Sequence, residues 1–180
     1  VTASAFLKRT SKDVDDTGTP KNIFFWTPGQ LVVANAVEMC FMILDAFYST
    51  GKTVLLKNRA RHLVTLKNKA ERIGEPFGKI YYFINTCNKE LKMPFTMMIE
   101  NEFDQRDVIV RQTNLNLGKD SIKDFIVENN IRYNDHICFD ETICFELKMF
   151  GYAIVELKKR VASLWLAMGG TKNGDTAIKG

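Results

Sequence analysis

The sequence predicts an α/β protein, a three-layer α/β/α domain built on a mainly parallel sheet. Three observations carry that expectation. The runs that read as strands are nearly all apolar, as strands covered on both faces are. Stretches with helical apolar spacing stand between them. The first apolar run leads through a turn ending Ser-Thr-Gly-Lys-Thr into a long amphipathic stretch. At 180 residues the chain fits one domain, large enough to bury about two-thirds of its unfolded surface.

Residues 1–22 are polar, rich in Thr, Ser, Asp and Lys, and read as a loosely held lead-in. Residues 23–170 form the expected domain, and 171–180 a small polar tail. A helix is expected from near Pro28 through Glu38. MCFMIL, ending at Leu44, then reads as a central strand covered on both faces. From Lys52 the apolar positions Leu56, Ala60, Leu63, Ala70 and Ile73 recur at helical spacing, and Gly74 and Pro76 stop that helix. KIYYFIN, Lys79 to Asn85, reads as the second strand, FTMMIE from Phe95 as a third, and DVIVRQT from Asp107 as a fourth. Asp120 or Ser121 can cap a short helix through SIKDFIVENN. HICFDE, a helix from about Phe145 to Arg160, and the strand SLWLAM complete the series.

Composition excludes more than it selects. The net charge of +4, 25 basic against 21 acidic residues, permits an anionic partner without requiring one. Cys40, Cys87, Cys138 and Cys144 show no C-x-x-C spacing, and His62 and His136 fall at no zinc-finger interval. They read as reduced, mostly buried thiols of a cytoplasmic or nuclear protein. The most apolar stretch is interrupted by Asn35, Glu38 and Asp45, so no membrane span is expected.

Ala46-Phe47-Tyr48-Ser49-Thr50-Gly51-Lys52-Thr53 fits the phosphate-loop pattern with Ala at its first position. Such a loop turns backbone N–H groups around phosphates at a helix N-terminus, where the helix adds partial positive charge. Gly51 lets the chain pass close to the phosphate. Lys52 would reach the β- and γ-oxygens, and the Thr53 hydroxyl would take a place on Mg²⁺. Phe47 and Tyr48 occupy variable positions that contribute mainly backbone.

A phosphate loop needs an acidic partner, and HICFDE supplies one. A strand ending in Asp140-Glu141 sets one carboxylate near Mg²⁺ and the next where it can polarise an attacking water. SLWLAMGG reads either as a strand ending at a γ-phosphate sensor or as a core strand with a glycine turn. Lys57, Arg59, Arg61, Lys67 and Lys69 read as a solvated helix face, with phosphate tracking as the alternative. Phe24, Phe25, Phe83 and Phe139 read as core rather than as base-stacking residues.

From about Phe25 to Gly170 these segments resemble the first RecA-like domain of superfamily 1 DNA and RNA helicases, a P-loop NTPase family. The resemblance implies that Gln30, in WTPGQ about twenty residues before Lys52, reads adenine, making ATP the nucleotide. It implies that Thr86, Asn88 and Lys89, in FINTCNKELKM, touch single-stranded RNA or DNA. Ala46, Ser49, Thr50, Gly51, Lys52 and Thr53 would then hold ATP, Thr53 and Asp140 would hold Mg²⁺, and Lys52 and Glu141 would carry hydrolysis. The family's glutamine after the last strand is missing from GGTKNGDTAIKG. The family completes its ATP cleft with a second RecA-like domain, so this chain is expected to work within a larger protein or with a protein partner. The competing expectation is a nucleotide-dependent switch that controls protein assembly without unwinding.

Overall fold

The computed structural model describes residues 27–36, 38–46, 50–86, 94–115, 122–142 and 147–168. The chain divides into two compact units, Val1–Ala36 and Val37–Gly180. In the first, helix α1 spans Pro28–Asn35. Thr27 and Gln30 close a reciprocal capping box around its first turn, and proline, which needs no amide donor there, opens it. The helix ends at Asn35, short of the expected Glu38. At Ala36 the backbone leaves helical geometry, and its N–H is shared between the Val32 and Val33 carbonyls.

The second unit alternates strand and helix: β1 (Phe41–Leu44), α2 (Lys52–Arg72), β2 (Ile80–Asn85), α3 (Pro94–Glu102), β3 (Val108–Thr113), α4 (Ile122–Glu128), β4 (His136–Thr142), α5 (Leu147–Lys158) and β5 (Ser163–Met168). The strands form one sheet in the order β1-β5-β4-β2-β3, with every pair parallel. Parallel neighbours need crossover connections, and a helix lies within each of the four.

Strand alternation sorts the sheet's two faces. Tyr81, Phe83, Ile137, Phe139, Leu164 and Leu166 share one core with Phe125 and Ile126 of α4 and Ile154 and Leu157 of α5. The Phe83 and Phe125 rings meet edge-on at 4.9 Å, and Phe139 completes the cluster. Each such side chain stabilises by about 1.5–3 kcal/mol through burial, with roughly 0.5–1.5 kcal/mol more per aromatic pair. The intervening residues face α2, whose Arg59 lies over the Trp165 ring at 5.4 Å. Helices therefore cover both faces, as in a three-layer α/β/α fold.

Three expectations are corrected. FTMMIE is not a strand but most of α3: Thr96 and Ile99 are buried while Met97 and Met98 are exposed, a helical period rather than alternation. β1 is not central but an edge strand, and Met39, Cys40 and Ile43 are exposed. An apolar run reports covered faces and says nothing of lateral neighbours. The basic face of α2 is solvated only in part: Arg61 and Lys69 are exposed, whereas Lys57 and Lys67 are half-buried and Arg59 is buried. Arg59 is only 3% exposed, Lys57 and Arg61 both pair with Glu102, and Lys67 pairs with Asp107. These contacts tie α2 to α3 and to the turn before β3, although partly exposed pairs contribute only about 0–1 kcal/mol each.

Phe83 and Phe139 are core residues as expected, whereas Phe24 and Phe25 lie outside the described residues. Cys138 is a buried free thiol, pushed up to about 12 by desolvation, and Cys40 is free and exposed rather than buried. Cys87 and Cys144 lie outside the described residues. Among the described residues no helix is long and apolar enough to cross a membrane.

The amino ends of the central strands are clamped. Buried Asp135 accepts from the Lys79 and Arg132 amides at 2.8 and 2.7 Å. A Cβ on Gly78 would come within 1.8 Å of the Asn134 carbonyl oxygen, so only glycine fits there. His136 stacks on Phe77 at 4.5 Å and meets the Ser163 hydroxyl through Nδ1 at 2.9 Å. Burial, aided by the Arg59 charge, pushes the His136 pKa from 6.5 down to about 4. Between those values the unfolded chain binds the proton that the folded ring refuses. This contribution to stability is therefore present above pH 6.5 and is lost as pH falls toward 4. Urea unfolding at pH 7 and pH 4.5 should show His136→Gln losing about 1–2 kcal/mol less than the parent over that interval, allowing for the ring's partial exposure. Equal losses would remove His136 as the cause.

Candidate functional site

All five strands point the same way, so the loop after β1 and the acidic pair of β4 share one edge of the sheet, with β5 between their strands. Ligands of open parallel sheets bind beyond that carboxyl edge. Leu44 is buried as β1 ends, and Asp45 and Ala46 emerge into solvent. Phe47, Tyr48 and Ser49 lie outside the described residues. Thr50 is half-buried, and Gly51 then turns the chain with φ 81° and ψ 19°, a left-handed geometry that strains any residue with a Cβ.

Gly51 is the N-cap of α2 and has no side chain with which to cap it. The helix therefore begins with amide donors and partial positive charge at the loop. Lys52, largely buried, donates from Nζ to the Ala46 carbonyl at 2.7 Å, spanning the loop from its last turn to its first residue.

One helix position further, the Thr53 side chain lies beside the Asp140 carboxylate and lowers its pKa, bringing the loop to β4. Asp140 is 1% exposed. Its Oδ1 accepts from the Glu141 amide and its Oδ2 from the Tyr82 hydroxyl, each at 3.0 Å. Burial raises its pKa, opposed by those hydrogen bonds, by Thr53 and by the Lys52 charge. Glu141 is half-buried, and desolvation followed by the Asp140 charge raises its pKa, with Lys52 pulling the other way. Its φ of 53° is rare for a residue with a side chain, and the β4–β5 register shifts between Phe139 and Thr142. Such irregularity costs of order 1–3 kcal/mol and tends to collect where side chains are re-aimed for function.

Thr53 and Asp140 offer hard oxygen ligands, the donor type Mg²⁺ takes when only one or two protein groups and a phosphate complete its shell. Among the described residues no cluster of three or more His, Cys, Asp or Glu could hold a metal by itself. The donors fit a shared Mg²⁺ and not a protein-only cage.

The remaining predicted residues fare differently. Gln30 belongs to the first unit, where its Oε1 accepts from the Thr27 backbone N–H at 2.9 Å and its backbone N–H donates to Thr27 Oγ1. Thr86 follows β2, half-buried, with its amide donating to the Thr113 carbonyl at 2.7 Å. Asn88 and Lys89 lie outside the described residues, as do Gly169 and Gly170 of the sensor segment. β5 itself is core as far as Ala167, with Met168 half-buried at its end.

Sequence reading missed Tyr82. KIYYFIN reads simply as apolar, and only the β2–β4 register, which pairs Tyr82 with Cys138 and Ile84 with Asp140, brings the phenol to the carboxylate. Comparison with known proteins finds no matching family model, no matching curated sequence and no matching solved structure.

Proposed function

We propose that the chain is an ATP-binding and ATP-hydrolysing P-loop module of RecA-like type, similar to the first motor domain of a superfamily 1 helicase and acting on RNA or DNA within a larger assembly. The observation that carries this reading is the juxtaposition of Thr53 with the buried Asp140 carboxylate, with Lys52 spanning the loop beside it. The two segments that phosphate chemistry requires, nearly ninety residues apart in the sequence, meet through the side chains that would share the cation.

In this mechanism Lys52 exchanges its Ala46 carbonyl for the β- and γ-phosphate oxygens, and the first amides of α2 receive the remaining charge. Thr53 and Asp140 would hold Mg²⁺, which when bound supplies neutralisation of the phosphate charge. Glu141, its pKa raised toward a working base, accepts hydrogen bonds from the attacking water and orients it in line with the γ-phosphate. Thr86 at the end of β2, with Asn88 and Lys89, would grip a single-stranded backbone. The assignment of ATP over GTP rests on the likeness of Gln30 to the family's adenine-reading glutamine.

An ATPase assay with and without single-stranded RNA and DNA tests the reading, with GTP as competitor. Turnover that rises with either nucleic acid is the expected result. Turnover indifferent to both, with an assembly state that changes on nucleotide binding, would identify the switch instead. No binding of nucleotide by calorimetry would remove both readings.

A further inference from the structure

Asp140 is held by a residue that belongs to neither segment. We propose that Tyr82 is a positioning residue for the cation site, fixing the Asp140 carboxylate in the orientation that Mg²⁺-nucleotide needs. The inference rests on the nucleotide reading above and assigns a new role within that site.

Tyr82 lies on β2, with no exposed surface, and β2 pairs with β4 in the middle of the sheet. Its Cα is in register with Cys138, two residues before Asp140. Two strand residues span about 6.6 Å, roughly the length of a tyrosine side chain. A tyrosine leaning toward the carboxyl edge on the face it shares with Asp140 therefore brings its hydroxyl to that carboxylate. The 3.0 Å contact to Oδ2 is the result. The Phe103 ring, 6.3 Å from the Tyr82 ring, bounds its seat from the end of α3.

The contact settles an orientation that burial alone would leave open. A carboxylate offers about four lone-pair sites on two oxygens and turns about one bond. Glu141 N–H holds Oδ1 and Tyr82 holds Oδ2, so the plane of the group is set from both sides. Thr53, the other oxygen expected on the cation, lies beside the same carboxylate. Without the phenol, Asp140 keeps its place in the sheet but loses the donor that fixes Oδ2. A pocket closed to water supplies no ready replacement, so the cost falls on any partner that needs the carboxylate in one orientation.

The test compares the parent, Tyr82→Phe and Tyr81→Phe in the full chain. ADP binding is measured by calorimetry across a Mg²⁺ titration and again in EDTA. Tyr81 is the control because it gives up a similar phenol contact, to the Asn129 carbonyl at 3.3 Å, on the opposite face of the sheet. Tyr82→Phe should raise the Mg²⁺ midpoint about tenfold and leave the metal-free affinity unchanged, whereas Tyr81→Phe should move neither. A purely structural role would lower the unfolding temperature without moving the midpoint, and that result overturns the proposal. So does an equal midpoint shift in Tyr81→Phe. If the parent binds no ADP under either condition, the nucleotide reading fails and this proposal falls with it. Should circular dichroism show Tyr82→Phe unfolded, Phe103→Leu loosens the ring's seat and should shift the midpoint less, in the same direction. An unmoved midpoint there is equally decisive against the role.

Discussion

Lys52→Ala is expected to weaken nucleotide binding at least a hundredfold while leaving the fold in place. Lys52 is largely buried, yet its ammonium spans the loop, reaching the Ala46 carbonyl at 2.7 Å. Phosphate oxygens are stronger acceptors than that carbonyl. Losing two charge-assisted hydrogen bonds to them, at about 1.5–3 kcal/mol each, amounts to roughly two to four factors of ten in affinity. The fold should tolerate the change because Ala46 is exposed and water can replace the ammonium at its carbonyl. The remaining α2 anchors, Leu55, Leu56, Ala60 and Leu63, are untouched. Calorimetric titration of Mg²⁺-ATP, paired with circular dichroism, reads both halves. A well-folded variant that binds as tightly as the parent would end the phosphate-loop assignment.

Glu141→Gln separates chemistry from binding. Glutamine keeps the volume and the backbone but cannot take a proton from water. General-base catalysis contributes about 10²–10⁴ in rate, so turnover should fall by that factor while nucleotide affinity stays within a few-fold of the parent. The backbone at this position has φ 53°, a strain that glutamine inherits unchanged, so stability should not confound the comparison. Steady-state turnover and single-site affinity on the same preparation decide it. Parent-like turnover would mean that water is activated elsewhere, and a parallel loss of affinity would mean that Glu141 holds ligand rather than orienting water.

Much of the local structure was legible in the chain itself. β2, β3, β4, β5 and α2 sit within a residue or two of where apolar runs, helical spacing and the glycine stop placed them. These features depend on residues near in sequence, whose periodicity reports which faces are covered. FTMMIE failed for a physical reason: six residues with three apolar side chains together satisfy either period, and the packing of Thr96 and Ile99 decided for helix. The basic residues of α2 divide, with Arg61 and Lys69 exposed as expected and Lys57, Arg59 and Lys67 at least half-buried. Their charge suggested solvent, but Glu102 and Asp107 stand forty or so residues away in the chain, and Arg59 is seated on Trp165.

The candidate site divides along the same line. Sequence by itself determined the Gly51-Lys52-Thr53 turn at a helix start and the Asp140-Glu141 pair at a strand end, because both are local arrangements of backbone and side chain. Tertiary structure alone decided that Thr53 meets Asp140, that β5 stands between their strands, that β1 is an edge, and that Tyr82 holds the carboxylate. Strand order and register are set by the sum of contacts between segments far apart in the chain, and no short window of residues contains that sum.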